Sequence, residues 1–341
     1  MKTSVRLGRI AGVEVGFNWS LLVIAALLAA GLAGGRFPSD APGYSNVEYA
    51  IAGVLTAIVF LVAVLVHELS HAVVARHEGI EVDGITLWLL GGVTRMHGDA
   101  PTPAAELRVS GAGPLASLVV GVVLFGIGIG LDAAGISPLI VDVLIWLGYI
   151  NVILAVFNVL PGAPLDGGRL LHAFLWKRHG DRFRATQTAS RAGQGLGWAL
   201  VALGFVEFAI GTGLGGGLWL ALLGWFLITA AGAEEERALV QEALGSRRVA
   251  DVMAPMPATV PDSVTVRDFV DHYLLAHRHS AFPVVDAQGR PVGLVTLERV
   301  RSVPAHLRGT TLVRDIAIPV AQTRVARAND PARDLLDSVV E

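Results

Sequence analysis

The chain has 341 residues and a formal net charge of −3; 53% of its residues are hydrophobic and 16% are charged, against roughly a quarter charged in an ordinary soluble domain. A mean hydropathy of +0.59, with the apolar residues gathered in blocks, marks an integral membrane protein. The charge balance and the lack of a basic, aromatic-interleaved patch argue against a nucleic-acid partner, and the absence of cysteine excludes disulfides and thiolate metal sites.

Residues 1–16, MKTSVRLGRIAGVEVG, mix apolar and polar positions around a turn at Gly12. They lack the apolar core of a signal peptide, and the pattern predicts a short amphipathic hairpin on the membrane surface, with Lys2, Arg6 and Arg9 on the cytoplasmic side. A transmembrane helix needs about 20 mainly apolar residues. Six stretches qualify: 17–32, 48–77, 107–131, 138–160, 196–212 and 217–233. Arg169, Lys177, Arg178, Arg182, Arg184 and Arg191 crowd the 165–193 connection, whereas 132–137 and 212–217 contain no Lys or Arg. With six crossings, the positive-inside rule puts both termini and the 78–106 and 165–193 connections in the cytoplasm. The expected setting is the lipid of the plasma membrane.

Beyond about Ala233 the composition turns soluble. AEEERALVQEALGSRR reads as an exposed helical linker, assigned to 234–248, which leaves 17–233 as the membrane domain. An internal repeat follows: ADVMAPMPATV from Ala250 aligns with RDIAIPVAQTRV from Arg314, and RDFVD from Arg267 with RDLLD from Arg333. The first copy, 249–303, continues into FPVVDAQGRPVGLVTLERV, two β-rich runs about a Gly turn and then a helix. The second copy, 312–341, lacks that continuation and reads as incomplete. Half a module leaves an apolar face open, so the natural chain is expected to be longer, or a second molecule to cover the face.

The chemistry is concentrated in VLVHELSHAVVARHEG, residues 64–79. Ionisable groups inside a span are costly and mark function. On a helix, His67 and His71 lie four residues apart on one face and can bind one metal ion, while Glu68 reaches a metal-bound water without being a ligand. Neutral imidazoles suit zinc, which makes its bound water acidic near neutrality and polarises a carbonyl. Glu68 would take the proton and pass it to the leaving amine. Catalytic zinc usually has three protein ligands, so another must come from elsewhere. FNVLPGAPLDGGR, 157–169, is the candidate: its prolines and glycines break the fourth span, and unwound backbone at membrane depth must be buried or line a cavity. Asp166 sits there, although the residues alone also allow it to cap a helix in a cytosolic loop.

HELSH, together with Asn158, Pro161, Pro164, Leu165, Asp166 and Gly167 as N-x-x-P-x-x-P-L-D-G, resembles the site-2 protease family of intramembrane zinc metalloproteases. GAGPLAS, 111–117, is similar to that family's Gly-Pro motif, and the tail repeat resembles paired CBS modules. The resemblance implies an α-helical polytopic membrane protein of about six transmembrane helices, with small β elements at the cytoplasmic face and an α+β CBS-type cytosolic domain. It implies His67, His71 and Asp166 as ligands of one zinc ion per chain and Glu68 as catalytic base. It also implies a role for Asn158 in holding substrate or oxyanion, beside which a packing or capping role stays open. Substrates would be transmembrane proteins, among them anti-sigma factors or similar regulators, cleaved in regulated intramembrane proteolysis.

A transmembrane helix must unwind before attack, and a strand edge could capture the unwound segment. VDGITLWLLGGVTRMHG, 82–98, is the expected supplier, with Leu89, Gly91, Gly92 and Val93 on an 87–93 strand. A re-entrant hairpin that only seals the membrane surface is the other reading. His172 has no evident ligand constellation and is read as solvent-facing or locally bonded. In the tail, Gly293 and Thr296 fit an adenine-nucleotide G-x-x-T-x-x-D pattern, but Arg299 stands at the Asp position, so nucleotide binding is expected to be weak or absent and the region to serve regulation or homodimerisation. The alternative from another class is a transporter or channel with regulatory CBS modules.

Overall fold

The structure, a computed structural model, describes residues 4–332 apart from Leu90, residues 211–213, Ser246, Arg278 and Arg324. The RDLLD stretch from Arg333 lies outside the described residues. The chain divides into two compact units between Leu239 and Val240.

The first unit is a helical bundle carrying a small sheet. Helix α1, Ser20–Gly31, passes through a π turn at Leu32–Arg36 into α2, Phe37–Asp40. Then come α3, Asn46–His77, α4, Pro103–Ala133, and α5, Pro138–Val159. After these lie α6, Asp166–His179, α7, Arg182–Ala209, and α8, Leu214–Gly245. Among the described residues six helical segments are long and apolar enough to cross a membrane, the number the hydropathy pattern predicts. Their ends overrun the apolar blocks because helix ends are set by caps. Ser45 and Glu48 form a capping box ahead of α3, each accepting the other's backbone N–H. Thr102 caps α4 in front of Pro103. The basic 165–193 connection is itself helical, formed by α6, which is not among the membrane-length helices, and the first turns of α7. Gly180 stops α6 at φ 72°, and Asp181 caps α7 by accepting the Arg184 N–H at 2.9 Å.

The sheet runs β1-β2-β3-β4: Val5–Ile10, Val13–Phe17, Glu81–Trp88 and Gly91–His97. The expected N-terminal hairpin is found as β1 and β2, and it is half of a larger sheet, β2 pairing in parallel with β3; Lys2 lies outside the described residues. Val13 is wholly buried against Leu21, Val64, Ala72, Ile85 and Leu87, which seats the sheet on α1 and α3. The 82–98 run makes a hairpin, with Trp88 opposite Gly91 as its last pair. This corrects the expected 87–93 strand: Leu89 sits in the turn and only Gly91, Gly92 and Val93 lie on β4. Among the described residues β4 pairs only with β3, so its outer edge is free.

The second unit holds a four-stranded sheet in the order β5-β6-β7-β8: Val260–Pro261, Ala281–Val285, Pro291–Thr296 and Ile318–Pro319. Phe269, Phe282, Val284, Val295 and Val313 form its core. Val313 and β8 belong to the second sequence repeat, so the start of that repeat packs into the sheet of the first. The turn between β6 and β7 is held by Asp286, whose Oδ1 accepts the N–H groups of Gln288 and Arg290, both at 2.9 Å.

Candidate metal centre

Helical spacing places His67 and His71 on one face of α3, and both are buried. The turn before α6 brings the third group. Pro161, Gly162 and Pro164 interrupt the helix, and the turn is fastened to α7 by the Ala163 N–H donating to Ala189 O at 3.1 Å. Asp166 is then the first residue of α6. Its Oδ2 lies 3.2 Å from Nε2 of His67 and 3.2 Å from Nε2 of His71, and the two Nε2 atoms are 3.2 Å apart. The capping reading of Asp166 is not met: Leu165 is the N-cap of α6 and no side chain caps it, while the Asp166 carboxylate turns to the imidazoles.

The outward nitrogens are also engaged. His71 Nδ1 donates to Val109 O at 2.7 Å and His67 Nδ1 meets Ser117 Oγ at 2.9 Å. Hydrogen bonds at Nδ1 fix the tautomer and ring orientation and turn the Nε2 lone pairs inward. Val109, Gly113 and Ser117 recur every four residues along α4, so one face of that helix backs the whole pair of imidazoles. The donor set fits zinc: two imidazole nitrogens and a carboxylate oxygen converge, and edges of 3.2 Å are those of a tetrahedron with bonds of about 2.0 Å. Three protein donors leave a fourth position for the reacting oxygen.

Glu68 projects next to this cluster toward β4. Its Oε2 accepts a hydrogen bond from Thr94 Oγ1 at 2.8 Å. A Cβ at Gly92 would overlap the Glu68 side chain, so only glycine lets the strand lie this close. Val93 is next along β4, and Leu89, in the turn, donates its N–H to Ser20 Oγ at 3.1 Å. Asn158 remains on α5, its Nδ2 donating to Leu154 O at 3.0 Å. His172 is buried on α6, with Nδ1 2.8 Å from Glu106 Oε2 and Nε2 3.3 Å from Arg182 O. Of its two expected roles, this is the locally bonded one.

Sequence reasoning finds the three converging donors and misses Val109, Ser117, Thr94 and Gly113. A signal existed for two of them, since Gly113 and Ser117 fall in GAGPLAS. Thr94 and the Val109 carbonyl carried none.

Two buried imidazoles converging with a partly exposed carboxylate, with a glutamate beside them, in a bundle of membrane-length helices, define a membrane-embedded metallopeptidase. The sequence pattern of peptidase family M50 matches residues 55–137 and 127–200, and that of the CBS domain matches 249–306. Rip3 of Mycobacterium tuberculosis, which bears a zinc-metalloprotease name, is 45% identical over 337 residues, covering 99% of this chain and 85% of that protein. The zinc metalloprotease MJ0392 of Methanocaldococcus jannaschii is 27% identical over 308 residues, covering 90% and 82%. A solved structure, the site-2 protease from the same organism, is similar with a TM-score of 0.46 and 26% identity, covering 68% of this chain and 94% of that one. The chain belongs to peptidase family M50, the site-2 protease family of intramembrane zinc metalloproteases.

Proposed function

We propose that His67, His71 and Asp166 hold the single zinc ion of this intramembrane protease and that Glu68 is its general base. The carrying observation is the convergence of two Nε2 atoms and one Oδ2 at 3.2 Å inside the bundle. The transporter alternative is not favoured, because transport requires no such donor set beside a glutamate in a peptidase-family chain.

Bound zinc supplies a Lewis acid that polarises the scissile carbonyl and acidifies water near neutrality. The remaining work belongs to the chain. Glu68 accepts the proton of the attacking water as the new C–O bond forms, and returns it to the amine as the C–N bond breaks. The two imidazoles are buried, while the Asp166 side chain keeps 18% exposure, a path by which water reaches the centre. An unwound transmembrane segment exposes backbone groups that lipid cannot satisfy, and the free edge of β4, from Gly91 to His97, offers them partners. Asn158, with one amide hydrogen on Leu154 O, has a second for the substrate carbonyl.

Substrates are membrane proteins, with anti-sigma factors or similar regulators as the specific class. The basic residues of the 165–193 stretch and an even number of spans support a topology with both termini cytoplasmic. The CBS region regulates or dimerises the chain and binds adenine nucleotide weakly or not at all, Arg299 standing where a ribose-binding carboxylate is needed. The test is a comparison of membrane proteins in cells carrying the wild-type chain or Glu68→Gln. Transmembrane fragments should accumulate with the variant and disappear with wild type; identical membrane proteomes would contradict the reading.

A further inference from the structure

We infer that Thr94 is a positioning residue for Glu68: through Thr94, the same edge strand proposed to receive the substrate also holds the base. This rests on Glu68 being that base. Three observations carry it. First, Thr94 Oγ1 stands 2.8 Å from Glu68 Oε2 and 3.5 Å from Glu68 O, so its one hydroxyl hydrogen goes to the carboxylate. Second, Gly92 and Thr94, two residues apart on β4, share a face of the strand. Gly92 lets that face lie directly against the Glu68 side chain, and Thr94 then reaches the carboxylate end. Third, β4 is the outer strand of its sheet, so the backbone that carries Thr94 is also the backbone with a free pairing edge.

The consequence is a division of labour between the carboxylate oxygens. Oε2 is occupied by the Thr94 hydroxyl and Oε1 is left to receive the proton. A glutamate side chain has three rotatable bonds, and a base misplaced by about 1 Å can lose on the order of 100-fold in rate. A substrate segment paired along β4 steadies the strand, and with it the hydroxyl that aims the base. Substrate docking and base alignment are thereby one event on one strand.

The test uses the full chain, purified in detergent, with a dye-quenched synthetic transmembrane helix that the wild type cleaves. Thr94→Val removes the hydroxyl and keeps the shape; Thr94→Ser keeps the hydroxyl. Thr94→Val should lower kcat by about 10- to 100-fold, with KM within about twofold and zinc still at one per chain, and Thr94→Ser should restore most of the rate. Wild-type kcat in Thr94→Val overturns the inference. So does equal impairment of both variants with loss of zinc, which would make Thr94 merely structural. Where Thr94→Val does not assemble, Thr94→Ala set against Thr94→Ser gives the same decision. Glu68→Gln separates the two readings: if it turns over normally the base assignment fails, whereas an inert Glu68→Gln beside a normal Thr94→Val removes Thr94 alone.

Discussion

Gly113 of α4 faces the His71 imidazole with no room for a side chain between them. A Cβ at position 113 would overlap His71 Nε2 and lie 2.7 Å from His67 Nε2, a separation that real Cβ atoms do not tolerate. Gly113→Val should therefore push the imidazoles apart. We expect zinc retention against a competing chelator to fall by about 100-fold or more, beyond the usual 10- to 100-fold cost of losing an outer partner. Unchanged retention would mean that the α4 face does not back the ligands.

Ser117 tests the outer hydrogen bonds separately. Its Oγ lies 2.9 Å from His67 Nδ1, and Ser117→Ala removes that partner without adding bulk. Zinc affinity should drop by about 10- to 100-fold, measured by the same competition. Ser117→Thr, which retains a hydroxyl, should lose less.

His172 ties α6 to α4 through Glu106 and to α7 through the Arg182 carbonyl. In His172→Ala the Glu106 carboxylate, whose side chain is only 12% exposed, loses its buried partner. Such a loss costs about 1–3 kcal/mol, and thermal unfolding should move to lower temperature. The zinc content of the folded fraction should stay at one per chain, since His172 is not among the converging donors. Zinc loss in this variant would place His172 in the metal centre.

Asp286 governs the acid side of the second unit. Its carboxyl is held below the ordinary aspartate range, chiefly by the Arg290 backbone N–H, with help from the Arg290 side chain and the Gln288 backbone N–H. A depressed folded-state pKa means that the stability contributed by the carboxylate is complete above the unfolded pKa near 3.8. It fades as pH falls through the lower folded value. Asp286→Asn should weaken the hairpin at pH 7 and flatten the dependence of unfolding on pH below about 4. Equal acid slopes in the two chains would remove Asp286 as the cause.

The three converging donors are legible in the sequence because their constraints are local. Two histidines four apart in an apolar helix, and an aspartate among residues that break a later one, each carry a signal within a dozen positions. Their supporting contacts were not legible, since Ser117 and Val109 reach His67 and His71 from 50 and 38 residues away. The expected 87–93 strand failed for another reason. Trp88, Leu89 and Leu90 read as a continuous β-rich run, and nothing in Leu89 or Leu90 announces a turn. The turn instead depends on Gly91, at φ 131°, a conformation that favours glycine. The helicity of the basic 165–193 connection carries little apolar signal, because the face that α6 buries is Gly167, Gly168, His172 and Ala173.

Zinc content per purified chain, measured together with cleavage of a transmembrane peptide, tests the central assignment most directly. Wild type and Glu68→Gln should each retain one zinc, with turnover in Glu68→Gln lower by about 100- to 10,000-fold. His67→Ala and Asp166→Ala should lose both zinc and activity. Zinc retained at full occupancy in Asp166→Ala, or lost in Glu68→Gln, would contradict the account.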